Sequence, residues 1–322
     1  MTELREELAR AATMLDLGRY EEASTLLARV VSVEPGSSRA WCLFARAHLG
    51  ADRYVEAVEA ANRAAAIEPA EEWPHRLASN ALMHLGNHAE ALRAASESRR
   101  LAPSYWQTHV CVAQAALAAA QPALAASAAA EARRLAPNEP DAMGLLALML
   151  YAHARREARR DAKARYVPLS EQDTGAWDQA AIGEAEGLLR TAGARGAPGR
   201  FQLEAAVQSV HAARRLTGRT DWQAIVVLYD GLFVMTASPV VAVNRAVAVA
   251  HARGAAPALK LLDEVGAQGG LEGFEPYWVA RADLCAKLGE VAEARRAYDL
   301  AIGLQTDPAA RAFLIERLAA LA

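Results

Sequence analysis

Helical hydrophobic patterns fill most of the chain, and the first of them end on a shared beat. They close on VSVEP, AAIEP, RRLAP and RRLAP, whose prolines Pro35, Pro69, Pro103 and Pro137 stand 34 residues apart. Ala23, Ala57, Ala91 and Ala125 keep one phase of that period, and the polar stretches GRYEEA, DRYVEA and GNHAEA keep the turn before it. A fixed period of this length predicts stacked helix pairs over residues 4–37, 38–71, 72–105 and 106–139. The fourth is the least regular. Ala120-Gln121-Pro122 stands where a Gly-Asp-Tyr-like turn belongs, although proline in a helix's first turn is tolerated.

Two antiparallel helices cannot bury their apolar faces alone, so such units stack. Alanine at each close crossing lets backbones approach, larger Leu, Val and Ile fill the space between neighbours, and proline ends the second helix. The period and these positions resemble those of tetratricopeptide (TPR) proteins. That resemblance implies an all-α, right-handed TPR-type α-solenoid of about seven helix pairs plus a C-terminal capping helix.

Beyond Pro140 the beat changes. AMGLLALMLYAHARREARR (Ala142 to Arg160) reads as one more first helix, and residues 161–175, with Pro168 and no helical period, read as an inserted loop before a helix over about 176–191. Three looser pairs follow: GRFQLEAAVQSVHAARR with DWQAIVVLYDGLFVM, SPVVAVNRAVAVAHARG with APALKLLDEVG, and EPYWVARADLCAKLG with EVAEARRAYDLAIGL. DPAARAFLIERLAALA closes the array, its Asp307-Pro308 being an N-cap and first-turn signal. The expected organisation is therefore four repeats in 1–139 and a TPR-like helical domain in 140–322, stacked continuously on the first.

LLALMLYAHARREAR, VPLSEQDTGAWDQAAIGEAEGLL and the helices after them resemble the TPR-like C-terminal extension of a group of extracytoplasmic-function RNA polymerase sigma factors, over about residues 142–320. The resemblance implies a regulatory or protein-interaction role with transcription machinery as a possible partner. It does not bring DNA binding or sigma activity, because TPR repeats fill the place of the promoter-binding and polymerase-binding domains. Two explanations of the join near residues 138–146 stay open, a natural pairing of the two arrays and a designed fusion.

Composition narrows the function further. Hydrophobic residues make up 53% of the 322 and aromatics only 6%, so alanine and leucine carry the apolar fraction, as helices packed through small side chains require. With 35 Lys+Arg against 38 Asp+Glu the net charge is −3, which supplies no global field for holding nucleic acid or an acidic membrane. Cys42, Cys111 and Cys285 are odd in number and far apart, so they write neither a disulfide framework nor a CxxC site, and a reducing cytoplasm is the simplest setting. The start MTELREELAR alternates charge where a signal peptide needs an apolar core, and no apolar run reaches ~18 residues, so neither export nor membrane insertion is expected. An alanine-rich array with an incomplete N-terminal cap could also pair end to end with another copy.

Catalytic signatures are missing: no phosphate-binding glycine loop, no HExxH and no GxSxG occurs. The expectation is a non-enzyme without cofactor or metal. His84 and His88 have the spacing of a helical metal pair, but Gly86 places them on two helices. His75 and His109 share the slot that Trp41 holds in the second repeat and read as packing residues. Glu171, Asp173 and Asp178 could be paired carboxylates, which leaves an enzyme with its site at 161–178 as an unfavoured alternative to helix-cap chemistry. HARREARRDAKAR (His153 to Arg165) reads as a solvated helix end or a basic docking patch.

In TPR arrays the first helix of each pair lines the concave face. Carried onto this chain, that rule gives a strip of Arg39, Arg46, Trp73, Arg76, Asn80, Met83, Gln107, Gln114 and Tyr151. Arginine offers paired donors to carboxylates and amides bond an extended backbone, so the expected ligand is an acidic or C-terminal peptide segment. Leu8, Ala12 and Leu43 occupy the positions of the chaperone-binding carboxylate clamp, so chaperone tails are not implied. The same phase gives a secondary groove with Asn244, His251 and Asp283, beside Arg245 and Arg281, with Trp278 packing like Trp41.

Overall fold

A computed structural model describes residues 2–196 and 198–321. The described residues are all-α: eighteen α-helical segments, three 3-10 turns and a lone β-bridge between Arg160 and Tyr166. The chain divides into two compact units, Met1–Ala142 and Met143–Ala322.

The first unit holds α1 (Thr2–Asp16), α2 (Tyr20–Val33), α3 (Ser38–Gly50), α4 (Tyr54–Ile67), α5 (Trp73–His84), α6 (His88–Leu101), α7 (Trp106–Ala118) and α8 (Pro122–Leu135). From α1 to α8 successive helices pack on one another, and the first helices of successive pairs also touch: α1 on α3, α3 on α5, α5 on α7. The 34-residue alanines Ala23, Ala57, Ala91 and Ala125 are all fully buried at helix crossings, while Leu27 and Val30 fill the space between. The turn inside each pair repeats in detail. Gly18, Asp52, Gly86 and Ala120 all take positive φ (73°, 57°, 75° and 55°), and the next N–H returns to the carbonyl five residues back. Glycine enters that conformation freely, whereas Asp52 and Ala120 hold it against their Cβ atoms.

The slot shared by Trp41 and His109 has a definite task. Trp41 Nε1 donates to Pro35 O at 2.9 Å and His109 Nε2 to Pro103 O at 2.7 Å, each fastening a first helix to the chain leaving the previous pair. In the second unit Trp278 Nε1 does the same to Glu272 O at 2.9 Å.

The second unit takes in most of α9 (Pro140–Ala154), then α10 (Gln179–Gly193), α11 (Arg200–Ala212), the single turn α12 (Arg214–Thr217), α13 (Trp222–Thr236), α14 (Pro239–Arg253), α15 (Ala255–Gly266), α16 (Glu275–Lys287), α17 (Val291–Leu304) and α18 (Pro308–Ala319). From α13 onward each helix packs on the next, α14 reaches α16, and the apolar face of α18 closes over Ala282, Tyr298 and Ala301. At Gly144 of α9 an added Cβ would stand 2.7 Å from the backbone nitrogen of Gln202, so only glycine permits this approach of α9 to α11.

Two sequence expectations need correction here. The first helix after Pro140 stops at Ala154 rather than running to Arg160, because the Ala154 carbonyl accepts the Asp178 N–H at 3.0 Å instead of closing another helical turn. The irregular stretch is correspondingly longer than 161–175, and α10 begins only at Gln179, where the Asp178 carboxylate takes the N–H groups of Ala180 and Ala181 at 3.0 Å. No helix among the described residues is long and apolar enough to cross a membrane.

Candidate functional site

In the first unit, positions seven apart on one helix share a face. Arg39 and Arg46 therefore align on α3, Trp73, Arg76 and Asn80 on α5, and Gln107 and Gln114 on α7. Arg39 and Asn80 are exposed. Arg46 is half-exposed and bonds Asp16 of α1 at 2.8 Å. Arg76 is held more firmly: Glu72, whose side chain is only 15% exposed, receives it at 3.2 Å and also takes the Ser98 hydroxyl at 3.0 Å, and the guanidinium lies 5.7 Å from the Tyr105 ring. Trp73 packs against two buried clusters, one that includes Leu43 and Ala47 and one that includes Cys42 and Leu77. Gln107 and Gln114 are half-buried.

Tyr151 is not a groove residue. It is 2% exposed, because α9 is apolar around its whole circumference (PDAMGLLALMLYAHA) and is covered on the side where the repeat phase places a lining position.

In the second unit the structure brings Asn244, His251 and Asp283 together on one cavity of about 580 Å³. Its walls come from α14, α16 and α18, the alternate helices that line the inner face of a TPR-type stack, with the irregular segment across them. Asp283 already bonds Lys287 at 2.6 Å and Arg317 at 2.9 Å. Arg245 and Arg281 are likewise paired, the first with Asp230 and the second with Asp263 and Glu293.

The irregular segment is bound to this face as a foreign peptide would be. Arg214 donates through Nη1 to Ser170 O at 2.6 Å and through Nη2 to Gln172 O at 2.8 Å, with its guanidinium 5.3 Å from the Trp177 ring. Tyr166 meets Phe313 of α18 edge-on at 5.5 Å, and Arg160 bonds Asp307 at the start of α18 at 2.5 Å. None of Arg214, Tyr166 or Phe313 stood out in the sequence. Their only signal is the Pro168 segment itself, which had to lie against something.

The segment also forms one wall of a second cavity of about 520 Å³, together with His211, Arg214, Trp222 and Tyr229. Trp222 lies between two imidazoles, stacked on His251 at 3.9 Å and edge-to-face with His211 at 5.3 Å. Burial, with Arg155 and Arg214 nearby, pushes the His211 pKa down to about 4, so its ring is neutral at neutral pH.

Two of the three loop carboxylates are spent on local structure. Asp173 accepts from Gly175 N at 2.8 Å and Asp178 caps α10, while Glu171 faces the first cavity on its own. No cluster of three metal-ligating side chains occurs among the described residues. His84 ends α5 and stacks on Tyr54 at 4.4 Å, and His88 opens α6. The three cysteines are buried and unpaired; burial raises the Cys111 and Cys285 thiols to about 11 and Cys42 to about 12, which makes them poor nucleophiles.

These features define a helical-repeat protein of the TPR class in which an inserted segment of the chain walls one groove. Tetratricopeptide repeat models match residues 4–47 and 275–308, and the model of a family of unknown function (DUF6596) matches residues 105–193. An uncharacterized protein of Rhizobium meliloti (strain 1021) is 39% identical over 184 residues, covering 57% of this chain and 43% of its own length. The chain thus spans less than half of that curated relative. Among solved structures, Cut9–Hcn1 of the APC/C superposes with a TM-score of 0.63 at 12% identity, covering 97% of this chain and 55% of that one. Pseudomonas aeruginosa PilF gives 0.50 at 17% identity, covering 73% and 92%. A thermophilic TPR protein from Thermus thermophilus gives 0.50 at 18%, covering 64% and 98%. At these identities the likeness is one of fold.

Proposed function

We propose that this protein is a non-catalytic interaction scaffold whose first unit binds an extended acidic peptide along Arg39, Arg46, Asn80, Gln107 and Gln114, with Trp73 as floor and Arg76 as flank. The observation that carries the reading is exposure on a shared face: Arg39 and Asn80 stand exposed on the lining helices of the first unit, beside the partly exposed Arg46. Arg46 can exchange Asp16 for a partner's carboxylate at little cost, since exposed pairs contribute only about 0–1 kcal/mol. Arg76 keeps Glu72 and serves to orient its neighbours. Because the stacked helices hold these groups in place beforehand, a partner meets a receptor that loses little on ordering.

The test is fluorescence anisotropy with a labelled Asp/Glu-rich peptide and its Asn/Gln counterpart. The acidic peptide should bind saturably, weaken with salt, and be lost in Arg39→Glu/Arg46→Glu with helicity unchanged. Equal binding of both peptides, or by the variant, would overturn the reading. A transcription-linked role, in which residues 142–320 engage RNA polymerase or a sigma factor, draws its support from the sequence resemblance, and co-purification with polymerase separates it from a general scaffold. The enzyme alternative at 161–178 has little left to work with once Asp173 and Asp178 act as caps.

A further inference from the structure

Among the described residues of the second unit, five arginines are half-buried, and their partners sort them into two groups. Arg215, Arg245 and Arg281 each bond a carboxylate. Arg155 and Arg214 have none: Arg155 bonds Gln208 Oε1 and Tyr151 O, and Arg214 bonds the carbonyls of Ser170 and Gln172. Burial without a counter-ion, with Arg159 and Arg214 nearby, lowers the Arg155 pKa to about 10. Buried charge lacking an opposite charge is unfavourable in a folded protein, and an anion supplied from outside relieves it.

Both arginines are near enough to His211 to hold its pKa down, and of the two Arg214 lines the 520 Å³ cavity, together with His211. No carboxylate lines this cavity among the described residues, and Arg219, exposed at its rim, adds a further guanidinium with no ion pair. The neighbouring 580 Å³ cavity differs: Glu171, Glu275 and Asp283 bring carboxylates to it, and Asp283 bonds both of its cations, Lys287 and Arg317. The smaller cavity also has aromatic walls, with the Trp222 indole stacked on His251 and Trp177 of the inserted segment among its lining residues. Its volume is in the range of small-molecule sites, and aromatic faces with a few converging polar groups are the usual lining of one.

We propose that the cavity lined by Trp177, Trp222, His251 and Arg214 is a binding site for a small organic anion, a planar aromatic carboxylate whose ring packs against the stacked Trp222–His251 pair and whose charge faces Arg214 and Arg219. The inserted segment would then supply one wall of the site. This inference stands apart from the peptide reading, which concerns the other unit.

The test is titration of the full chain with 2-naphthoate and with neutral 2-naphthamide, followed by calorimetry and by tryptophan fluorescence. The carboxylate should bind at one site about tenfold or more tighter than the amide, about one arginine–carboxylate contact's worth. Arg219→Gln, at an exposed side chain with no structural bond, should weaken the carboxylate several-fold and leave the amide unchanged; Trp222→Leu should abolish both. Absence of saturable naphthoate binding at millimolar concentration, equal binding of acid and amide, or indifference of the acid to Arg219→Gln would each overturn the proposal.

Discussion

Arg214→Met tests how the inserted segment is held. The substitution keeps an unbranched apolar stem and removes two bonds, to Ser170 O at 2.6 Å and Gln172 O at 2.8 Å, together with the cation over the Trp177 ring at 5.3 Å. Hydrogen bonds from a charged donor contribute about 1.5–3 kcal/mol each when buried, and a half-exposed guanidinium retains roughly half of that. A loss of about 2 kcal/mol is expected, and it should appear as opening of the segment rather than of the helices, since Arg214 is the clamp between them. Each 1.4 kcal/mol is tenfold, so amides protected within the segment, such as Gln172 N–H on Pro168 O, should exchange about 30-fold faster. Hydrogen exchange read by mass spectrometry over 166–178 against peptides from α14 and α16 is the assay. Unchanged exchange in the segment, or equal acceleration in α14 and α16, would refute this account of the clamp.

Other expectations concern positions where one cause dominates. Ala120 holds φ 55° at the repeat turn where Gly18 and Gly86 stand, so Ala120→Gly should raise stability by about 0.5–1 kcal/mol in denaturant titration. Gly144→Ala drives a methyl against the backbone of Phe201 and Gln202 and should destabilise the second unit by about 1–3 kcal/mol, read as a lower midpoint of its unfolding. Asp178→Ala removes the cap on Ala180 and Ala181 and should lower stability by about 1 kcal/mol. The depressed His211 pKa means that the unfolded chain binds the proton first: stability should be full above about pH 6.5 and fall towards pH 4, by at most about 1.4 kcal/mol per pH unit, and His211→Phe should flatten that slope in urea midpoints measured from pH 7 to 5. Arg155, Arg214 and His251, the charged and titratable groups around His211, all act in the same direction.

The repeats were legible because they are governed by local rules. Proline every 34 residues ends a helix wherever it occurs, buried alanine marks each crossing, and the slot of Trp41 and His109 proved to be a bond to the same carbonyl six residues back. The inserted segment was not legible, because what holds it is remote in sequence: Arg214 is 42 and 44 residues from its acceptors, and Arg160 is 147 from Asp307. Phase arithmetic also fails where amphipathicity does. On α3 and α5 one polar face identifies the exposed side, so Arg39 and Asn80 come out exposed; α9 is apolar all round, and Tyr151 goes inside. Arg155 and Arg214, half-buried without a carboxylate, could not be told from the half-buried and paired Arg215, Arg245 and Arg281 without knowing which carboxylates come near.

The central claim is that partners dock on the first-helix face of the first unit. A photo-crosslinking residue placed at Asn80 on α5, and in a second protein at Arg63 on the exposed side of α4, addresses it in a single gel. The account predicts that the acidic peptide crosslinks from position 80 and not from position 63, with excess unlabelled peptide erasing the product. Crosslinking from position 63 alone, or equally from both, would contradict it.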